Sequence, residues 1–274
     1  MRFTCLLENT ACDARLSVEH GLSVLAETPR HTLLFDTGAT GVFADNAAAL
    51  GVDLKTVDTA VLSHGHYDHG GGLRRFLSEN ETAPVWLHRQ AFITHRALHG
   101  DEFADIGLEP ALREEPRLRF VESDTEIDGE LTLLTGIDGD ELSPRGNDTI
   151  FAERNGVLTY DDFAHEQDLV IRAEGKRVLL AGCAHRGIVN ILEACRARLG
   201  AYPDAVIGGF HLMRRSRVYD ADDFAYFDAL AERLAAIPTQ YFSCHCTGAE
   251  PFARLKQTLG SRLQYLSCGD TLTI

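Results

Sequence analysis

The segment from Leu62 to Leu73, LSHGHYDHGGGL, places three histidines and one aspartate within six residues. These side chains are His64, His66, Asp68 and His69. Imidazole and carboxylate groups are ligands for zinc, manganese and iron, and at this spacing on a loop they can converge from different directions. The three glycines that follow suit a tight turn where the backbone passes close to a site. The segment therefore predicts a metal site.

Three more histidines follow apolar runs further along the chain. His185 lies between a strand-like run and a helical pattern in RVLLAGCAHRGIVNIL, and His245 does so in TQYFSCHCTGAEPF. His211 follows the run DAVIGG, although the next helical pattern comes later. Sites in α/β folds gather where strand ends meet helix starts. We therefore expect these histidines to share one edge of the fold with the segment around His64.

The pattern of the remaining elements predicts a mixed α/β sandwich. Early strand-like runs are spaced as hairpins, and later ones alternate with helical patterns. Asp220 or Asp222 is expected to cap the helix that follows them. Residues 93–165 are rich in charge, glycine and proline. They are either an insertion of loops and short elements, which would serve as a lid, or ordinary surface connections.

Composition excludes several classes of function. The 274 residues are 45% hydrophobic, which is enough for a large core, and no apolar run reaches the length of a membrane span. The formal charge of −15 disfavours nucleic acid as a partner, with Arg214, Arg215 and Arg217 as a local basic patch. Seven scattered cysteines fit a reduced, cytoplasmic protein. The N-terminus turns polar too early for a signal peptide.

The motif His64-x-His66-x-Asp68-His69 resembles the signature of the metallo-β-lactamase-fold hydrolases. LLFDTG, at 33–38, is similar to that superfamily's first motif, in which Asp36 would support the metal loop. Five further segments resemble the branch labelled 7,8-dihydropterin-6-yl-methyl-4-(β-D-ribofuranosyl)aminobenzene 5'-phosphate synthase: EHGLSV, DDFAHEQDLVI, GCAHRGIVNIL, GGFHL and CHCTG. The resemblance covers essentially the whole chain. It implies an α/β fold, a four-layer αββα sandwich, as a single domain over 1–274 with a loop-rich insertion at about 93–165.

The resemblance also implies two divalent metal ions, with zinc as the first choice and manganese, iron or nickel as alternatives. His64, His66 and His185 would hold metal one, and Asp68, His69 and His245 would hold metal two. The superfamily usually has a bridging aspartate near the position of His211, where this chain has no acid. Asp68 and His211 are therefore the candidate catalytic residues. Asp68 would position the hydroxide or take the proton as it forms from water, and His211 would bind metal or contact substrate.

The charge of such a site points to an anionic substrate. Two divalent ions offset by Asp68 and one hydroxide leave a net charge of about +2, which favours phosphate over a neutral amide. We therefore expect a dinuclear metal-dependent hydrolase or transferase that acts on a small phosphate-bearing molecule through a metal-bound hydroxide. The alternatives are a thioester or lactone hydrolase, an RNA nuclease, which the acidity disfavours, and a non-catalytic metal-binding sensor.

Several other side chains are assigned no part in the site. Cys183, Cys244 and Cys246 flank the predicted ligands, and small buried cysteines are more frequent than thiolate ligands. His20 lies in a predicted loop from which it could approach the pocket. The remaining histidines are expected to be structural or exposed: His31, His88, His95, His99 and His165.

Overall fold

The computed structural model describes residues 1–274. Its strands are β1 (Arg2–Leu7), β2 (Ser23–Glu27), β3 (Thr32–Phe35), β4 (Thr59–Val61), β5 (Val85–His88), β6 (Thr94–His99), β7 (Glu102–Asp105), β8 (Leu118–Val121), β9 (Thr125–Glu126), β10 (Leu131–Thr135), β11 (Ile150–Arg154), β12 (Val157–Tyr160), β13 (Gln167–Ala173), β14 (Lys176–Ala181), β15 (Ala205–Gly208), β16 (Gln240–Ser243), β17 (Leu263–Tyr265) and β18 (Thr271–Thr273). Its α-helices are α1 (Val42–Ala49), α2 (Tyr67–Gly70), α3 (Leu73–Glu79), α4 (Ile188–Leu199), α5 (Ala221–Ala235) and α6 (Ala249–Leu259).

Two seven-stranded sheets form the centre of the molecule. One has the strand order β18-β1-β2-β3-β4-β5-β8, and the other has the order β17-β16-β15-β14-β13-β10-β9. In the first sheet β3, β4, β5 and β8 are parallel. In the second sheet β14 to β17 are parallel. Each parallel half aligns several carboxyl strand ends at one edge, where loops that carry functional residues can meet.

Alternation along the strands produces the layers. In β3, Leu33 and Phe35 belong to the core between the sheets, whereas Leu34 belongs to the core beneath the helices on the outer face. In β14, Val178 and Leu180 likewise face the first sheet, and Leu179 faces outward. Successive strand residues point to opposite faces, so each sheet buries two apolar surfaces.

Helices cover the outer face of each sheet. Phe43 of α1 and Phe76 of α3 pack on the first sheet, and Ile191 of α4 and Phe227 of α5 pack on the second. The predicted four-layer αββα sandwich is therefore confirmed. Asp220 caps α5 as expected, because its side chain accepts a hydrogen bond from the backbone N–H of Asp223 in a reciprocal capping box.

The stretch at 93–165 contains more regular structure than a loop-rich segment. Strands β8, β9 and β10 complete the two large sheets, and the other four strands form a third sheet with the order β12-β11-β6-β7. Most of β7 and β12 is exposed, and each has only four residues, so neither forms the longer buried apolar run by which the inner strands are recognised. None of the helices combines the length and apolarity that a membrane crossing requires.

Candidate metal centre

The predicted ligands follow the carboxyl ends of three strands. His64 comes three residues after the end of β4, and α2 then carries Asp68 and His69. The helical turn that carries Asp68 and His69 begins at Tyr67. His185 follows β14 and His245 follows β16, two strands of the parallel half of the second sheet. The two sheets thus present their ligands at a common edge.

The structure brings all six predicted ligands together. The ring centroid of His64 lies 4.2 Å from that of His69, 4.5 Å from that of His66 and 5.0 Å from that of His185. The ring centroids of His69 and His245 are 4.9 Å apart. No member of the set is more than 8% exposed. The imidazoles and the carboxylate of Asp68 form overlapping groups in which the ligand atoms lie within 4.8 Å of one another.

Two asparagines orient the two ligands that come from the second sheet. Asn147 accepts a hydrogen bond from Nδ1 of His185 at 3.0 Å and donates to the carbonyl oxygen of the same residue at 2.8 Å. Asn9 makes the same pair of contacts with His245, at 3.1 Å and 3.2 Å. Each amide is fixed by its second contact, so Nδ1 must be the protonated nitrogen. Nε2 of both histidines therefore presents a lone pair to the site.

Asp36 organises the ligands of the first sheet. Its buried carboxylate accepts hydrogen bonds from Nδ1 of His69 at 2.6 Å and from the backbone N–H and hydroxyl of Ser63, both at 2.7 Å. The Ser63 hydroxyl donates to Asp36, so it accepts from Nδ1 of His64 at 2.8 Å. His64 and His69 therefore also direct Nε2 into the centre.

The donor set fits divalent metal ions. Nε2 of His64, His66 and His185 is buried and has no hydrogen-bond partner. An unpaired buried polar atom costs free energy, and native proteins pair nearly all such atoms. A cation that accepts these lone pairs would remove the cost. Neutral imidazoles and one carboxylate are the donors expected for zinc and similar ions.

Burial keeps most of the predicted histidine ligands in the neutral form that binds a cation. Burial lowers the pKa of His64, His66 and His185 well below the ordinary value, and burial also lowers the pKa of His245. Burial acts against the charge of His69 too, but the carboxylates of Asp36 and Asp68 raise its pKa to about 9. Four imidazoles are thus neutral near pH 7, and His69 is protonated in the metal-free protein.

Burial of neutral imidazoles makes the stability of the metal-free protein sensitive to acid. A histidine with a lower pKa in the folded state contributes stability that is complete above about pH 6.5 and is lost as the pH falls below it. Each imidazole should add a slope of up to about 1.4 kcal/mol per pH unit. His69 acts in the opposite sense, because its raised pKa gives stability that is complete below about pH 6.5 and is lost as the pH rises toward 9. It therefore adds little slope as the pH falls below 6.5. We expect the free energy of unfolding of chelated protein to fall between pH 6.5 and 5.5.

Urea denaturation at a series of pH values measures this slope. Chelated His185→Gln protein is the matched control, because it has one buried imidazole fewer and should show a shallower dependence. Equal slopes for the two proteins, or a flat profile for the wild type, would contradict the burial of neutral histidines.

The two asparagine contacts predict separable effects on metal affinity. Asn147→Ala should weaken the ion held by His185 by about 10–100-fold, because His185 loses the partner that fixes its ring and tautomer. Asn9→Ala should weaken the ion held by His245 by a similar factor and leave the other ion unchanged. Competition with a chromophoric chelator measures both affinities. If both variants weakened the same ion, the division of the histidines into two sets would be wrong.

A cavity of about 750 Å³ opens onto the ligands. Its wall includes Asp68, His20 and His211 beside the ligands, and Arg214 and Arg215 from the basic patch. The structure places His211 against His185, with ring centroids 4.1 Å apart, and its backbone has a left-handed φ of 49°. Its Nδ1 is buried without a hydrogen-bond partner.

A second buried cluster adjoins His66. Asp161 accepts a hydrogen bond from Nδ1 of His95 at 2.9 Å and lies 3.3 Å from Nε2 of His165, whose Nδ1 accepts from the backbone N–H of Gly65 at 2.9 Å. His95 and His165 are fully buried. They support the loop that carries the predicted ligands, in line with a structural role. The segment DDFAHEQD contains two members of this cluster, but its spacing gives no sign of contact with His66.

The comparisons with known proteins agree with the fold. The family model described as "Metallo-beta-lactamase superfamily" matches residues 16–221. An uncharacterized protein of Methanocaldococcus jannaschii is 28% identical over 262 residues, which cover 92% of this chain and 93% of that protein. The 7,8-dihydropterin-6-methyl-4-(beta-D-ribofuranosyl)-aminobenzene-5'-phosphate synthase of the same organism is 29% identical over 248 residues, which cover 84% of this chain and 81% of that protein.

A solved structure resembles the whole molecule. The crystal structure of Tm1679, a metal-dependent hydrolase of the beta-lactamase superfamily, superposes with a TM-score of 0.82 at 31% sequence identity. The match covers 100% of this chain and 99% of that chain. Layer order, converging histidines and these matches lead to one conclusion: the chain belongs to the metallo-β-lactamase superfamily.

Proposed function

We propose that this protein is a dinuclear metal-dependent hydrolase or transferase that acts on a small phosphate-bearing molecule. The observation that carries the proposal is the convergence of the buried neutral imidazoles of His64, His185 and His245, whose Nδ1 atoms are engaged and whose Nε2 atoms face one centre. Converging nitrogen lone pairs without hydrogen-bond partners are stabilised when a cation binds among them. Ligand sets of this type with an open side are typical of catalytic metal centres.

The residues divide between two ions. His64, His66 and His185 would hold metal one, and Asp68, His69 and His245 would hold metal two. Zinc is our first choice, and manganese, iron or nickel would suit the same donors. When bound, two such ions polarise a phosphoryl oxygen and acidify a water molecule.

Asp68 and His211 are the proposed catalytic residues. Asp68 Oδ2 lies 3.3 Å from Nε2 of both His20 and His245, so the carboxylate stands between the ligands and the cavity. Burial acts to raise its pKa, but His69, His20 and His245 hold that pKa well below its usual range. Asp68 is therefore an ionised acceptor for a proton of the attacking water. His211 lies on the cavity wall, where it would contact the leaving or transferred group.

The charge around the cavity supports an anionic substrate. Arg145 and Arg214 reach the wall and pair with the same buried carboxylate of Asp223, at 2.9 Å and 2.6 Å. Arg215 also lines the cavity and contacts His99, without a carboxylate partner. Guanidinium groups bind phosphate through paired hydrogen bonds. The similar synthase from Methanocaldococcus jannaschii has a phosphate in its name, which agrees with this substrate class.

A substrate panel tests the proposal. Protein loaded with two equivalents of zinc should hydrolyse bis(4-nitrophenyl) phosphate faster than a thioester or a lactone, and inorganic phosphate should inhibit competitively. Arg215→Ala should raise the inhibition constant of phosphate, whereas Arg196→Ala, an exposed residue paired with Glu193 on α4, should leave it unchanged. Preference for the thioester or lactone would assign the protein to the alternative class. Metal binding without turnover of any substrate would favour a sensor.

The proposal also covers the domain organisation, the partners and the cellular location of the protein. The single domain over 1–274 remains part of it, and the insertion within residues 93–165 is narrowed to the third sheet, which contributes Ala97, Leu98 and Ile150 to the cavity wall. The formal charge of −15 supports a small-molecule substrate over nucleic acid. Seven cysteines that form no disulfide support a cytoplasmic location.

A further inference from the structure

Cys183 lies between the two sets of metal ligands. Its sulfur groups with His64 and His185 on one side and with Asp68, His69 and His245 on the other. In each group the ligand atoms lie within 4.8 Å of one another. Sγ of Cys183 is 3.1 Å from Nε2 of His69, the nitrogen that faces the centre. Asp68 is the other residue whose ligand atom groups with members of both sets.

The backbone holds Cys183 firmly in this place. A Cβ atom on Gly182 would lie 2.1 Å from Oγ of Ser63, so only glycine lets the end of β14 approach the first sheet this closely. The carbonyl oxygen of Gly182 accepts a hydrogen bond from Gly209 at 2.9 Å. Ala184 follows with a left-handed φ of 54°, which directs His185 back toward the centre. Cys183 itself is 3% exposed.

A ligand shared by two ions would have to lie between the two ligand sets, as the Cys183 sulfur does. His211, which the sequence places near the usual bridging aspartate, groups with Cys183 and Cys246 and with neither ligand set. A thiolate carries the same single negative charge as a carboxylate, and its sulfur has enough lone pairs to bind two cations. Zinc accepts thiolate ligands readily. Unpartnered buried Nε2 atoms of His64 and His185 point to a cation beside this sulfur.

We propose that Cys183 is a thiolate ligand that lies between the two metal ions and replaces a bridging carboxylate. The proposal rests on the metal pair of the proposed function. The sequence alone predicts that Cys183 is a small buried side chain without a part in the site, and the proposal makes its sulfur a metal ligand. With Cys183 included, the ligands supply two negative charges instead of one, which helps to hold two cations a short distance apart.

Cobalt substitution tests the assignment without any substrate. Wild-type protein loaded with two equivalents of Co²⁺ should show an intense thiolate-to-cobalt charge-transfer absorption in the near ultraviolet. Cys183→Ser should lose this band and bind less than two equivalents. Cys183→Asp should also lose the band but retain two equivalents, because the carboxylate restores the bridge. Cys246→Ser, from the same pocket, and Cys195→Ser, from the buried face of α4, should keep the band.

The outcomes separate this inference from the proposed function. A wild-type protein that binds two cobalt ions without the band, or a band that persists in Cys183→Ser, would overturn the inference and leave the dinuclear site intact. Loss of the band in Cys246→Ser alone would give the ligand role to Cys246. If Cys183→Ser fails to fold, the spectrum of the wild type and that of Cys183→Asp still decide between the two results.

Discussion

Asp68→Asn should abolish turnover and loosen one of two metal ions. The substitution keeps the shape of the side chain but removes the charge that balances metal two and the acceptor for the proton of the attacking water. Loss of a positioned general base alone lowers rates by about 10²–10⁴-fold, and loss of a ligand adds to that effect. Steady-state kinetics and metal content after dialysis measure the two consequences separately.

Two variants serve as comparisons for Asp68→Asn. His66→Ala should lose metal one and keep metal two. The affinity of its remaining ion should therefore differ from that of the ion that remains in Asp68→Asn. His20→Gln should retain both ions, because its side chain is 44% exposed and contacts Asp68 from the cavity side. Full activity and two bound ions in Asp68→Asn would contradict the assignment.

Asp36→Ala should destabilise the protein even without metal. The carboxylate is fully buried and accepts from His69 and from the backbone and hydroxyl of Ser63. Removing one member of a buried charged network leaves the others unpaired and typically costs about 3–5 kcal/mol. Urea unfolding of chelated protein measures the change. Metal two should also bind more weakly, because His69 loses the contact that fixes its ring.

The matched control is an exposed carboxylate that also contacts a histidine. Asp58 lies 2.9 Å from Nδ1 of His31, and its side chain is 43% exposed. Such a surface pair contributes about 1 kcal/mol or less, so Asp58→Ala should cost far less than Asp36→Ala. Similar losses in the two variants would mean that Asp36 does not organise the metal loop.

The sequence predicts that His64, His185 and His245 converge, because each of them follows an apolar strand. That pattern is local: His64, His185 and His245 each come a few residues after a buried run. It also indicated the layers, since the inner strands are apolar on both faces, as in β14. The third sheet gives a weaker signal, because β7 and β12 have only four residues each and most of them face solvent, with charged Glu102 and Asp105 in β7.

The supporting residues could not be found in the same way. Asn9 and His245 are 236 residues apart, and Asn147 and His185 are 38 apart, so no motif joins either pair. Asparagine is common in loops, and its spacing there carries no information about a distant partner. The usual behaviour of small buried cysteines predicts a structural role for Cys183, whereas the ligand role that we propose depends on how closely Gly182 lets the two sheets approach.

Metal titration of the chelated protein tests the central claim most directly. Zinc would be added in steps, and bound metal and hydrolysis of bis(4-nitrophenyl) phosphate would be followed in the same samples. Two ions per chain held by His64, His66, His185, Asp68, His69 and His245 predict no activity without metal and a maximum at two equivalents. Full activity in the chelated protein, or a maximum at one equivalent with no further binding, would contradict a dinuclear centre.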